Sequence, residues 1–286
     1  MNSDIDLSER LISIVQVRLE TDDASLPVLP DAATRSLNLV KDPNSTARQI
    51  AVALERDPLL TAQVIRAASS AAYGGGGAIT TLEQAVARIG MQRLRGLIMS
   101  AVAFGLFESN DVRIREMTKG LWDHSIAVGI VARDLCALAG EGDPEAAYLG
   151  GLLHDVGKQI VGGFLLEAEK QIKQLRNKRW MESDAWINTV AATHRDAAVA
   201  LVEKWKLPDD IVACIREDEY DPENRSCIGN FVRFANAVVK LEGIYVGQVD
   251  PDEAQAMVLV GRSMLGMDEE VVSRVSGSLR ERMERM

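Results

Sequence analysis

The sequence predicts an all-α protein made of two packed helical bundles. Three observations carry this. Apolar residues recur at helical spacing along nearly all of the 286 residues. Alanine and leucine are abundant, while alternating β-branched runs are scarce. Helix starts are marked by Asp-Pro pairs and Ser/Thr caps joined by short connections.

Residues 4–20 place Leu7, Leu11, Ile14, Val15 and Leu19 at helical spacing, an N-terminal helix within 1–21. Ser25-Leu26-Pro27-Val28-Leu29-Pro30 breaks it, because two prolines three apart impose extended backbone. Ser45 precedes a helix bearing Ile50 and Leu54. Asp57-Pro58 puts a capping acid before a first-turn proline, and Leu60, Val64, Ala67, Ala68 and Ala71 form the inner face of the next helix. The run Gly74-Gly75-Gly76-Gly77 ends that helix. It lacks the GxxxxGK[ST] pattern of a phosphate loop and comes after no predicted strand, so it reads as a connection. Thr80-Thr81-Leu82-Glu83 reads as a capping box, and Gly90 closes the helix after it. These elements form a first unit over 22–115.

A longer pattern runs from Val112 to Leu138 and stops at Gly140-Glu141-Gly142. Asp143-Pro144 opens a helix that delivers His154 and Asp155 near its C-terminal end. Gly157 is expected to permit that ending, with Gly162-Gly163 punctuating the next segment. Helices over 164–177, 182–192, 195–205, 209–218 and 226–242 complete a second unit over 116–245. Asp250-Pro251 opens a tail, 246–286, with two more helices; the last, mixing charges with Val271, Val272, Val275 and Leu279, is expected to dock on the surface.

The net charge of −10 argues against general nucleic-acid binding, which needs lysine and arginine to displace counterions from phosphates. No apolar run is long enough to span a bilayer. The start, with Asp4, Asp6 and Glu9, is not a secretory signal. Three scattered cysteines, Cys136, Cys214 and Cys227, form no CxxC, and a reducing cytoplasm fits them.

The chemistry-bearing feature is His154-Asp155 inside Leu152-Leu153-His154-Asp155-Val156-Gly157-Lys158. The only other histidines are His124 and His194. Imidazole with carboxylate suits a divalent metal, which lowers the pKa of bound water and neutralises phosphoryl charge. Lys158 either approaches a substrate phosphate as a point charge or neutralises a helix end.

Several separated motifs resemble the HDOD proteins, an HD-related output domain of bacterial signalling. They are Leu26-Pro27-Val28-Leu29-Pro30, Asp57-Pro58-Leu59-Leu60-Thr61, Ala78-Ile79-Thr80-Thr81-Leu82-Glu83-Gln84-Ala85-Val86, Leu121-Trp122-Asp123-His124-Ser125, Gly150-Gly151-Leu152-Leu153-His154-Asp155-Val156-Gly157 and Trp205-Lys206-Leu207-Pro208. The resemblance implies an N-terminal helical bundle packed on an HD-like helical bundle. In catalytic HD hydrolases it implies a His from one helix, a His-Asp pair from another and a later Asp. His124, His154 and Asp155 match the first three. The later Asp corresponds to Asn236, a neutral oxygen that weakens divalent binding. His194 resembles a histidine of two-metal relatives and is expected at the margin. The stretch Ile215-Arg216-Glu217-Asp218-Glu219-Tyr220 lacks the His-His pair such relatives often carry; its acids read as solvated.

The expectation is a cytoplasmic signal-transduction module without turnover, acting through a signalling protein partner or a nucleotide as ligand. No cofactor is certain: one weakly held divalent ion (Fe, Mn, Ni, Zn or Mg) at most. A partner is expected on the first unit or in the groove between the units. The alternative is a metal-dependent phosphohydrolase, a nucleotide or cyclic-dinucleotide phosphodiesterase, with His154, Asp155 and Lys158 as its vestigial catalytic candidates.

Overall fold

Side-chain caps set the main helix starts. The computed structural model describes residues 2–21, 26–70, 73, 78–107, 112–176, 184–247, 249–277 and 279–284. In it Asp57, Asp143 and Asp250 each accept from two backbone N–H groups of the following helix, which carries proline in its first turn. Among the described residues there is no strand. The helices are α1 (Asn2–Thr21), α2 (Asp31–Lys41), α3 (Ala47–Leu54), α4 (Pro58–Ser69), α5 (Leu82–Ile89), α6 (Met91–Phe107), α7 (Val112–Ala139), α8 (Pro144–Leu153), α9 (Val156–Arg176), α10 (Asp184–Lys204), α11 (Asp209–Arg216), α12 (Ile228–Leu241), α13 (Pro251–Leu265), α14 (Glu269–Ser276) and α15 (Leu279–Glu284).

Helices α2 to α6 pack on one another, and α6 joins them to α7, α8 and α9. Its central residues Leu94, Ile98 and Met99 are fully buried, so one continuous apolar core runs through both halves. Helix α1 lies against α10 and α9. Arg18 stacks over Phe164 and pairs with Glu167 at 2.6 Å. The two ends of the HDOD-like stretch also meet: the Trp205 indole N–H donates to the Pro27 carbonyl at 2.9 Å, and the Lys204 ammonium to the Leu26 carbonyl at 3.1 Å.

Several boundaries differ from the sequence expectation. The cap before α3 is Thr46, in a capping box with Gln49. The cap before α5 is Thr81, bonded to the Gln84 N–H, while the Gln84 side chain accepts from Thr80. Helix α4 stops at Ser69; residues 74–77 lie outside the described set. The expected helices over 182–192 and 195–205 are one, α10. No glycine or proline interrupts it, and the buried hydroxyls of Thr189 and Thr193 donate to carbonyls one turn back. Among its described residues the tail has three helices, with Val275 and Leu279 buried as α14 and α15 dock on α7.

Gly157 does not end a helix. Helix α8 stops at Leu153, His154 is its C-cap, and Gly157 is the second residue of α9. What requires glycine there is packing: a Cβ on Gly157 would lie 1.6 Å from the His194 carbonyl oxygen. A second close approach joins α7 and α8, where a Cβ on Gly151 would lie 2.8 Å from the Gly129 backbone. The two contacts bring four helices, α7, α8, α9 and α10, together around the His154-Asp155 corner.

Candidate metal centre

Asp155 occupies the corner between α8 and α9 and is buried. Around its carboxylate stand all three histidines of the chain. His124 Nε2, from α7, is 3.7 Å from Oδ2, and His154 Nε2 is 3.4 Å from the same oxygen. His194 Nε2, from α10, is 3.8 Å from Oδ1. The ligand atoms of His124, His154 and Asp155 all lie within 4.8 Å of one another. His194 faces the other oxygen of the same carboxylate.

The backbone fixes the tautomers. His124 Nδ1 lies 2.8 Å from the Ile244 carbonyl, His154 Nδ1 2.7 Å from that of Gly151, and His194 Nδ1 2.9 Å from those of Val190 and Ala191. A carbonyl only accepts, so each Nδ1 carries the proton and each Nε2 presents a lone pair. Burial lowers the pKa of all three, that of His124 to about 4, so the rings are neutral near neutral pH. Three lone pairs thus face a carboxylate to which none can donate. The Nε2 atoms of His124 and His154 are buried without a partner. This donor set fits a divalent cation.

One cation is supplied by the chain itself. The Lys158 ammonium lies 2.6 Å from Asp155 Oδ2. Burial alone would raise the Asp155 carboxyl, but His154 and Lys158 outweigh it and hold the carboxyl below the ordinary range. With neutral imidazoles, the standing counter-charge near pH 7 is Lys158.

Asn236 lies on α12, its Oδ1 buried without a partner, and lines a cleft of about 690 Å³. Asp218 and Glu219 line the same cleft; Asp218 pairs with Arg195 at 3.2 Å. Two residues escape a sequence reading. Tyr245 meets the His124 ring edge-on at 5.2 Å, and the ammonium groups of Lys158 and Lys240 lie 5.5 and 5.1 Å from its ring centre. Lys240 is four residues after Asn236, so helical spacing could have found it. Tyr245 lies in a loop that carries no such signal.

A His from one helix and a His-Asp corner from the next, gathered inside an all-α bundle, define a helical protein built around a metal-centre type of donor set. The chain belongs to the HDOD family, whose domain matches residues 26–220. A Shewanella amazonensis structure described as a putative metal-dependent phosphohydrolase aligns with a TM-score of 0.68 at 22% identity, covering 96% of this chain and 99% of that one. An HDOD domain protein with unknown function from Geobacter sulfurreducens aligns at 0.67 and 23%, covering 99% and 97%. A Marinobacter aquaeolei structure described as a putative signal transduction protein aligns at 0.63 and 23%, covering 99% and 64%. At these identities the likeness shows the fold. In sequence, an uncharacterized protein of Treponema pallidum is 23% identical over 221 residues, 75% of this chain; the chain spans 42% of that relative's length. No helix among the described residues is long and apolar enough to cross a membrane.

Proposed function

We propose that this chain is a regulatory module of bacterial signal transduction whose His/Asp centre holds at most one divalent ion and does not turn over substrate. One observation carries this reading. Among the described residues the one carboxylate grouped with the imidazoles, that of Asp155, is already neutralised by Lys158 at 2.6 Å. A two-metal clamp needs more negative charge than this centre offers. The position where catalytic HD hydrolases carry a second acid is the neutral Asn236.

When an ion binds, His124, His154 and Asp155 hold it, with Asn236 and His194 at the border, and Lys158 must yield part of the carboxylate. Such an ion supplies Lewis acidity and a more acidic bound water. The chain's own part is to fix each Nε2 lone pair through a backbone carbonyl and to bury the cluster. The module acts in the cytoplasm, which its free cysteines suit. Its signalling partner engages the groove of about 380 Å³ where α4 and α6 meet α7, lined by Leu59, Leu97, Phe104 and Trp122.

The second reading, a metal-dependent phosphohydrolase, is favoured by the convergence of three free lone pairs on one carboxylate. Metal content of the purified protein, with hydrolysis of bis(p-nitrophenyl) phosphate, separates the two. The regulatory reading expects no turnover with any of Mn, Fe, Ni, Zn or Mg. Turnover abolished by Asp155→Ala would establish the hydrolase instead.

A further inference from the structure

The cleft beside the His/Asp centre is walled by one stripe of α12. Arg233, Asn236, Ala237 and Lys240 line it, with Tyr245 at its inner end and α13 opposite. The α12 and α13 parts of the lining lie beyond residues 26–220, the stretch matched by the family, whereas Arg195, Asp218, Glu219 and Tyr220 lie within it.

Arg233 is the informative residue. It is 9% exposed, and its Nε and Nη2 are buried without an acceptor. A buried guanidinium that lacks acceptors is costly. Its side chain folds back over the first turn of α12, where a Cβ on Gly229 would lie 2.2 Å from Nη1. The first turn of a helix is its electropositive end, an unfavourable neighbour for a cation. The N-cap, Cys227, contributes no side-chain hydrogen bond. Among the described residues neither Arg233 nor Lys240 has a carboxylate in ion-pair contact. Arg233 and Lys240 thus share the α12 wall with no carboxylate in ion-pair contact, while Asp155 and Glu253 act on Lys240 from a longer range.

Two of the four acids of the cleft are engaged elsewhere. Asp218 pairs with Arg195, and Asp250 caps α13 through the Asp252 and Glu253 N–H groups. Glu219 and Glu253 remain as acceptors at the rim. The cleft therefore offers an anion site on the α12 side and hydrogen-bond acceptors on the other, with two tyrosine rings, Tyr220 and Tyr245, between them. Its volume of about 690 Å³ suits a small organic ligand.

We propose that this cleft binds a small phosphate ester carrying hydrogen-bond donors, of mononucleotide size, with its phosphate held by Arg233 and Lys240. The guanidinium turns from Gly229 toward the phosphate, and the donors of the organic part meet Glu219 and Glu253. The ligand also lies against Tyr245, whose ring touches His124, so occupancy of the cleft is felt at the His/Asp centre. This deepens the small-ligand part of the regulatory reading, but it requires no metal.

The test is calorimetric titration of the full chain, stripped with chelator, with adenosine 5′-monophosphate, adenosine and inorganic phosphate. The monophosphate is expected to bind at least tenfold more tightly than adenosine or phosphate alone. Lys240→Gln, on the half-buried part of α12, and Arg233→Lys are each expected to weaken it about tenfold, or about 1.4 kcal/mol. Circular dichroism of both variants checks that the helices persist. Absence of binding by the stripped protein, or equal affinity in wild type and Lys240→Gln, overturns the proposal. Binding that appears only after a divalent metal is restored places the phosphate on the His/Asp centre, which overturns this proposal and leaves the one-metal reading standing.

Discussion

Gly157 and His194 are in direct contact through their backbones: no side-chain atom fits between the second residue of α9 and the middle of α10, since a Cβ would sit 1.6 Å from the His194 carbonyl oxygen. The contact aligns His194 Nε2 with Asp155, two residues before Gly157 in the chain. A glycine that looks like punctuation in the sequence is a packing contact that builds the centre.

Gly157→Ala is therefore expected to destabilise the protein by about 1–3 kcal/mol or more, as overpacked sites do. Gly163→Ala, in the same helix with open space at its Cβ, is expected to stabilise by about 0.5–1 kcal/mol. Urea denaturation of the pair checks this. Equal midpoints for the two variants would show that helix propensity, and not the α9–α10 contact, governs both positions.

Lys158→Met should act with opposite signs on stability and on metal affinity. Removing the ammonium leaves the Asp155 carboxylate buried and unpaired, a loss of about 3 kcal/mol in the metal-free protein. The freed carboxylate should bind Mn or Zn several-fold more tightly. Thermal unfolding in chelator, then competition against a metallochromic dye, reads both effects. A variant as stable as wild type with unchanged metal affinity would show that Lys158 does not neutralise the centre.

The pH dependence has its origin in the histidines. His124 has a folded pKa of about 4 against an ordinary 6.5, depressed by burial first and by His154 next. The unfolded chain takes up the proton first as pH falls. The stability is therefore fully present above pH 6.5 and is lost as pH drops toward 4. His154 and His194 are shifted in the same direction. His124 alone corresponds to roughly 3 kcal/mol across this window. Chelated protein should melt at a clearly lower temperature at pH 5 than at pH 7.5, and His124→Gln should flatten that difference. A melting temperature independent of pH in wild type would mean that the imidazoles are already charged in the folded state.

Asn236→Asp places a carboxylate where the resemblance to catalytic HD hydrolases implies one. It is expected to tighten divalent binding at least tenfold, since a second carboxylate adds charge to a site that now has one. Equilibrium dialysis against chelator-buffered Mn measures it. Unchanged affinity would place Asn236 outside the coordination sphere and remove this reason for weak binding.

Much of the fold and the centre is legible in the sequence, for identifiable reasons. Asp57-Pro58, Asp143-Pro144 and Asp250-Pro251 are local signals, and all three cap the helices expected of them. The His154-Asp155 pair and His124 are legible because their residue types and order are those of a metal donor set. The role of Gly157 is not legible, because nothing local distinguishes a glycine that stops a helix from one that admits a neighbour. The expected break in α10 falls beside His194, where no breaker residue exists to justify it. Tyr245 and the unpaired Arg233 depend on side chains brought together from distant parts of the chain, and no spacing rule reports such a meeting.

The central claim is a centre with one carboxylate, neutralised by its own lysine, and the most direct test is the number of divalent ions it holds. Protein saturated with Mn or Fe, desalted and analysed for bound metal should hold no more than one ion per chain. A single pass over chelating resin should strip it. The account predicts that ratio, together with an unchanged rate of bis(p-nitrophenyl) phosphate hydrolysis in the same sample. Two ions per chain that survive the resin, with steady turnover of the phosphodiester, would contradict it.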